Sequence, residues 1–201
     1  MKKIVAGILV ACSCMTMLAC NSDKKYQEDF ETFGQETTQA ELEYRNDVSV
    51  KDMEAAVAEA LGADYWPQME MPSLTDIGVA EDLYEEAIFK SPMISVNVDT
   101  IIIVKAKEGQ TEAVYDALNA YRDMLINDVL QYPMNLPKIQ ASRVEQYGNY
   151  VVFVQLGADK GTKATQDAGE NTSEDDLAAM EMAAIEAENE KALNAIVEMI
   201  K

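Results

Sequence analysis

Histidine is absent from this sequence. Its absence removes the usual general base near neutral pH and the commonest transition-metal ligand. Ser-His-Asp, Cys-His and zinc-peptidase chemistries are therefore excluded. Cysteine is almost absent as well: it occurs at positions 12, 14 and 20 and nowhere beyond. No disulfide framework can hold the folded part of the chain, and that part has no thiol nucleophile. Basic residues are scarce, with 16 Lys and Arg against 36 Asp and Glu and a formal charge of −20. A field of that sign repels phosphate backbones and anionic headgroups, so nucleic acid is not expected as a partner. Glycine patterns that cradle phosphate are missing, since Gly157 and Gly161 are not followed by a Gly-Lys-Ser/Thr turn. Asp159, Asp167 and Glu170 lack the alternate spacing of a calcium loop. Neither a cofactor nor a metal is expected.

What the chain does have begins at its amino terminus. After "MKK" comes "IVAGILVACSCMTMLA", residues 4–19, an uncharged run that ends at Cys20 and turns abruptly polar. The run has the length of a signal-peptide core and falls short of the roughly 20 apolar residues of a membrane span. Met17-Leu18-Ala19-Cys20 resembles the lipobox of bacterial lipoproteins, in which the peptide is cut before a cysteine that carries a diacylglyceryl group. A rival match, "LVAC" at 9–12, leaves only residues 4–11 as the apolar run, so Cys20 is the preferred site. Lipidation at Cys20 predicts a cell-membrane anchor on the extracytoplasmic face. Two or three acyl chains hold a protein stably where one does not. Cleavage removes Lys2 and Lys3 and no acid. The mature body is thus held by lipid (palmitate-type chains) and not by attraction to headgroups.

At 201 residues, the chain has room for one ordinary domain with flanking segments. Residues 1–19 read as the lipoprotein signal peptide. Residues 20–48 are acidic and lack apolar periodicity, and read as a flexible tether carrying Tyr26, Phe30, Phe33 and Tyr44. Residues 49–201 read as a single domain. Ser49 is placed to cap a helix whose stripe is Val50, Met53, Val57 and Leu61, with Gly62 as its stop. Trp66, the sole tryptophan, lies in a turn-rich stretch as a loop anchor or a binding-surface residue. Residues 79–91 are ambiguous between helical turns and a strand. "MISVNV" alternates Ile94, Val96 and Val98 on one side, and "TIIIVKAK", residues 100–107, is the clearest β-branched strand. A helix over about 110–130 carries Val114, Leu118, Tyr121, Leu125 and Val129, and Pro133 closes it. "ASRVEQYGNYVVFVQLG" predicts a hairpin turning at Gly148-Asn149. Residues 157–173 read as a mobile loop. A last helix, about 174–200, is capped by Ser173 and buries Met182, Ile185, Ala192, Ile196 and Met199. This order predicts an α+β fold: an antiparallel sheet of about four strands packed by helices on one face.

The segment from Val50 to Leu156, with the last helix, resembles DUF4358, a family of exported bacterial lipoproteins. The residues that carry the resemblance are "VNVDTIIIVKAK", Arg122 in "AYRDML", Tyr132-Pro133, and "YGNYVVFV". The chain departs from the family in having Asp99 where glutamate is expected beside the strand, and in a longer loop at 157–173. The family has no assigned activity, so the resemblance implies location and fold and supplies no catalytic residue.

Paired acids such as Glu85-Glu86 and Asp175-Asp176 point about 100° apart on a helix and do not converge on one substrate atom. Arg122, beside Tyr121, is the candidate for holding an anionic ligand or a partner carboxylate, or for an internal ion pair. Tyr132, Tyr147 and Tyr150 could complete an aromatic rim. The expectation is a non-enzymatic, membrane-tethered binding or accessory module, its partner an envelope protein or a small ligand. The competing expectation is a carboxylate-dependent hydrolase acting on cell-wall material.

Overall fold

Two uninterrupted apolar runs, one around Ile101 and one around Val152, build the centre of the fold. The structure, a computed structural model, describes residues 43–201 apart from 72, 93, 95, 128, 129, 158 and 159. The expected signal peptide, Cys20 and most of the expected tether lie outside the described residues. The elements run α1 (Val50–Leu61), β1 (Met69–Glu70), β2 (Tyr84–Ser91), β3 (Thr100–Ala106), α2 (Thr111–Asn127), α3 (Leu136–Gln140), β4 (Arg143–Tyr147), β5 (Tyr150–Gln155), α4 (Lys160–Gln166) and α5 (Glu174–Ile200). All strand pairs are antiparallel, in the order β1-β2-β3-β5-β4. The α+β class and the antiparallel sheet are as read from the sequence. The fifth strand is the two-residue β1, too short to leave a pattern.

The helices do not share one face, which corrects the expected layering. Ile88, Ile101, Ile103, Tyr150, Val152 and Val154 pack against α1 and α5. Phe89, Ile102, Val104, Val151 and Phe153 turn the other way, onto Val114 and Leu118 of α2. The physical reason is in the central strands. A strand buried on one side alternates, whereas β3 and β5 are apolar at nearly every position and so need cover on both sides. Each fully buried isoleucine of β3 contributes about 2 kcal/mol of transfer free energy.

Local signals account for the outer elements. Ser49 caps α1 by accepting from Asp52 N at 3.1 Å, and the stripe Val50, Met53, Val57, Leu61 is buried. Gly148, at φ 58°, makes the hairpin turn between Tyr147 and Tyr150. The ambiguous stretch 79–91 resolves as a short 3-10 turn and then β2. The described residues of "MISVNV", Ile94 and 96–98, are not in a strand. Residues 92–99 connect antiparallel neighbours, so the chain must reverse there, and Ile94 and Val96 stand exposed. The segment 157–173, expected as a loop, contains α4. Gly161 lets α4 lie against Glu181 and Ile185 of α5, a tertiary contact with no local apolar signature.

The ordered body starts ahead of Ser49. Tyr44 packs edge-on to Tyr147, with ring centroids 5.6 Å apart. Arg45 N donates to Ile200 O at 2.8 Å. The Tyr150 hydroxyl donates to Val48 O at 2.7 Å and accepts from Val48 N at 3.1 Å. Residues 44–48, assigned to the tether from composition, are therefore seated on the domain.

Burial of tyrosines at this end and along the sheet makes the fold sensitive to alkali. Desolvation first, then the Glu145 carboxylate, pushes the Tyr147 phenol up to about 12, against partial relief from Arg143. Burial likewise raises Tyr121 and Tyr150. Tyr65 is held well above its ordinary value by burial and by donating to Glu54 Oε1. An unfolded tyrosine ionises near pH 10. The folded groups resist, so their stabilisation is complete below that pH and drains as pH rises from about 10 toward 12. The expected result is a denaturation midpoint that falls steadily across this window. Phenolate absorbance should remain partial in the folded protein and jump on unfolding. A flat midpoint would contradict the burial.

Candidate functional site

The ends of β2, β3 and β5 at Ser91, Thr100 and Gln155 lie together at one end of the sheet. A cavity of about 240 Å³ opens there, lined by Trp66, Ile94, Val96, Asn97, Met134, Asn135, Lys138, Gly157, Gly161, Thr162, Glu181 and Ile185. Its walls come from the β2–β3 connector, the turn before α3, α3 itself, α4 and α5.

The floor is polar and buried. Asp99 has no exposed surface, and Lys138 Nζ lies 3.3 Å from its Oδ1. The same Nζ donates to Asn97 Oδ1 at 3.3 Å, and Asn97 Oδ1 also accepts from Asp99 N at 2.9 Å. Asn135 is buried beside them, and neither its Nδ2 nor its Oδ1 has a hydrogen-bond partner among the described residues. Proline sets the backbone here: Pro133 opens the 3-10 turn that precedes α3, and Pro137 sits in the first turn of α3.

Short-range bonding holds this scaffold in place. Arg122 Nε donates to Ser142 O at 2.7 Å and to Ser142 Oγ at 3.1 Å, and Nη2 donates to Gln140 O at 3.3 Å. Ser142 Oγ donates to Ile139 O at 2.6 Å. Asn189 of α5 donates to Ala141 O and accepts from Leu156 N, both at 2.9 Å. The Ile139, Gln140, Ala141 and Ser142 carbonyls at the carboxyl end of α3 are thus engaged, and the Arg122 cation lies at the negative end of that helix. Arg122 has a structural role here, with carbonyls for partners and not a carboxylate. The open groove beside it, about 540 Å³, includes Arg143, but Glu145 and Glu190 already pair with that residue at 2.6 and 2.5 Å.

The aromatic residues singled out from the sequence do not converge. Tyr121 packs on Phe153 with ring centroids 5.6 Å apart. It lines a second cleft, with Gln155 and Gln131, that shares Ile94 and Asn97 with the cavity. Tyr132 is exposed and takes the Asn135 N–H on its carbonyl at 2.8 Å. Tyr147 and Tyr150 flank the hairpin turn at the opposite end of the sheet, Tyr150 being fully buried on the inner strand β5. Trp66 does reach the cavity. The residues missed by sequence reasoning are Asn97, Asn135 and Lys138. One signal existed: Asp99, an acid directly before an unbroken apolar strand, must be buried with a partner or break the strand.

Among the described residues, no three Cys, Asp or Glu side chains gather to hold a metal ion. No described helix is long and apolar enough to cross a membrane.

These features define an α+β domain whose antiparallel sheet lies between two helical layers, with a small polar-floored cleft at one sheet end. Residues 75–156 match DUF4358, a domain of unknown function. The match takes in "VNVDTIIIVKAK", Arg122, Tyr132-Pro133 and "YGNYVVFV", so the resemblance read from those residues holds over that stretch. The helices α1 and α5, to which the resemblance extended, lie outside it. Asn97, Asn135 and Lys138 fall within the matched stretch, whereas Trp66, α4 and α5 do not. No curated protein and no solved structure matches the chain.

Proposed function

We propose that this protein is a lipid-anchored lipoprotein of the extracytoplasmic face of the cell membrane. Acyl chains on Cys20 hold it there, and its folded body is a non-catalytic binding or accessory module. The observation that carries the binding reading is the cleft at the sheet end. It joins an apolar rim to a buried amide, Asn135, whose two polar atoms are unused by the protein. Location rests on the sequence: the basic start, the uncharged run of signal length and the lipobox-like Met17-Leu18-Ala19-Cys20. The acidic body is suited to solubility outside the cell rather than to surface adhesion.

A hydrolase acting on glycans through carboxylates needs two acids about 5–10 Å apart across one cleft. Among the described residues the cavity has one lining carboxylate, Glu181, which favours binding over hydrolysis.

Metabolic labelling with a fatty acid tests the anchor, and photocrosslinking from position 134 in intact cells tests the cleft. Wild type should take up label and Cys20→Ala should lose it. A crosslinker replacing exposed Met134 should capture one discrete envelope component. Labelling unchanged in Cys20→Ala would remove the anchor, and no capture from position 134 would remove the cleft as the binding surface.

A further inference from the structure

The cavity's chemistry narrows its ligand, and this step rests on the binding reading above. Asn135 is 1% exposed with both amide atoms unpartnered among the described residues. Burying an amide without partners is costly, and proteins retain such groups sparingly. Asn135 offers one donor and one acceptor side by side. The complement is a group presenting a carbonyl and an N–H together.

A free anion is a poor match. Among the described lining residues, Lys138 is the one cation, and Asp99 compensates it from inside the protein at 3.3 Å. Glu181 adds a carboxylate on the α5 wall. An incoming phosphate or carboxylate would meet more negative than uncompensated positive charge. A neutral amide avoids that repulsion and uses both atoms of Asn135.

The walls specify the rest. Trp66, Ile94, Val96, Met134 and Ile185 make them apolar. At the mouth, Ile94, Val96 and Met134 are 49%, 52% and 65% exposed, although each is a large apolar side chain. A volume of about 240 Å³ is below the range of roughly 300–1,000 Å³ typical of sites for drug-sized ligands. The occupant is therefore a residue-sized fragment with an apolar side chain.

We infer that this cleft binds a short peptide segment. The Asn135 amide pairs with one backbone peptide group, and the wall formed by Trp66, Ile94, Val96 and Met134 takes an apolar side chain. Side-chain size against that wall sets preference, and the peptide group sets orientation.

Trp66 is the only tryptophan in the chain and it lines the cavity, so indole fluorescence reports on this site alone. The full chain in detergent is titrated with N-acetyl-leucine N-methylamide, its glycine counterpart, and the N-acetylglucosamine disaccharide. The leucine probe should give a saturable change, with about tenfold weaker binding for the glycine probe and for Asn135→Leu. Asn135→Leu should also unfold at an equal or higher denaturant concentration, because it removes unpartnered polar atoms.

Absence of saturation with the leucine probe, or undiminished binding by Asn135→Leu, overturns the inference. A lowered unfolding midpoint for Asn135→Leu overturns it too, since the amide would then serve the fold. Tighter binding of the disaccharide, whose acetamido group carries the same amide chemistry, removes the peptide assignment and leaves the binding module standing. Crosslinking from position 134 that captures a partner while every probe is silent does the same.

Discussion

Asp99→Leu is expected to destabilise the protein by about 3–5 kcal/mol. Asp99 is fully buried at the mouth of β3, and the Lys138 side chain that faces it is only 9% exposed. Removing the carboxylate leaves a buried ammonium with the Asn97 side-chain oxygen at 3.3 Å as neutral compensation. A buried charge that loses its counter-ion carries the whole desolvation cost, which far exceeds the loss of one hydrogen bond. Lys138→Met should be costly for the mirror-image reason. The double variant is the decisive measurement. If the two charges compensate each other, Asp99→Leu with Lys138→Met should recover most of the loss, because no unmatched charge remains. Urea unfolding of the four proteins gives the coupling. Additive losses would show that Asp99 and Lys138 act separately, so that the cavity floor would not be electrically neutral.

How far the sequence could be read depended on whether the controlling forces were local. Ser49 and its apolar stripe, the Gly148 turn and the β-branched run from Thr100 act within a few residues, and each formed as its pattern implied. The expected layering fails on the continuity of "TIIIV" and "YVVFV", which demands burial on both faces, whereas alternation in the flanking segments suits one covered face. In residues 92–99, the alternation of Ile94, Val96 and Val98 mimics a strand. Tertiary connectivity overrules it, since β2 and β3 are antiparallel neighbours joined by this segment. The helix α4 was illegible because Gly161 offers α5 close backbone approach in place of an apolar face. The cavity was hardest of all. Lys138 and Asn97 are 41 residues apart and meet only after the sheet and α3 are in place. A buried lysine and an exposed one look alike in sequence, and only Asp99, placed hard against an apolar strand, hinted at the pair. Trp66, open in sequence between a loop anchor and a surface residue, lines the cavity, while Arg122, the conspicuous cation, is committed to the carbonyls beside α3.

Gly157→Ala is expected to cost about 3 kcal/mol, the second large effect. Gly157 follows β5 at φ +108°, a region where an L side chain is strained. Space is short as well: a Cβ there would meet Ile185 Cγ2 at 3.3 Å and Ile185 Cα at 3.4 Å. Ile185 is 1% exposed and held by the core, so α5 cannot swing aside cheaply. Gly161→Ala separates packing from backbone strain, because Gly161 is helical and its φ is not positive. Alanine gains about 1 kcal/mol of helix propensity there. Its Cβ would nevertheless approach Glu181 Cγ at 2.6 Å and Ile185 Cδ1 at 3.1 Å. The Glu181 side chain is partly exposed and can move, so the net stability change should be the smaller of the two. The displaced wall is the cavity's own, since Gly157, Gly161, Glu181 and Ile185 all line it. Thermal or denaturant unfolding together with Trp66 fluorescence reads both effects. Gly157→Ala should unfold much earlier than wild type, and Gly161→Ala should shift the indole signal with modest loss of stability. If Gly157→Ala proved as stable as wild type, the close seat of the β5–α4 turn on Ile185 would be wrong, and with it the wall that encloses the cleft.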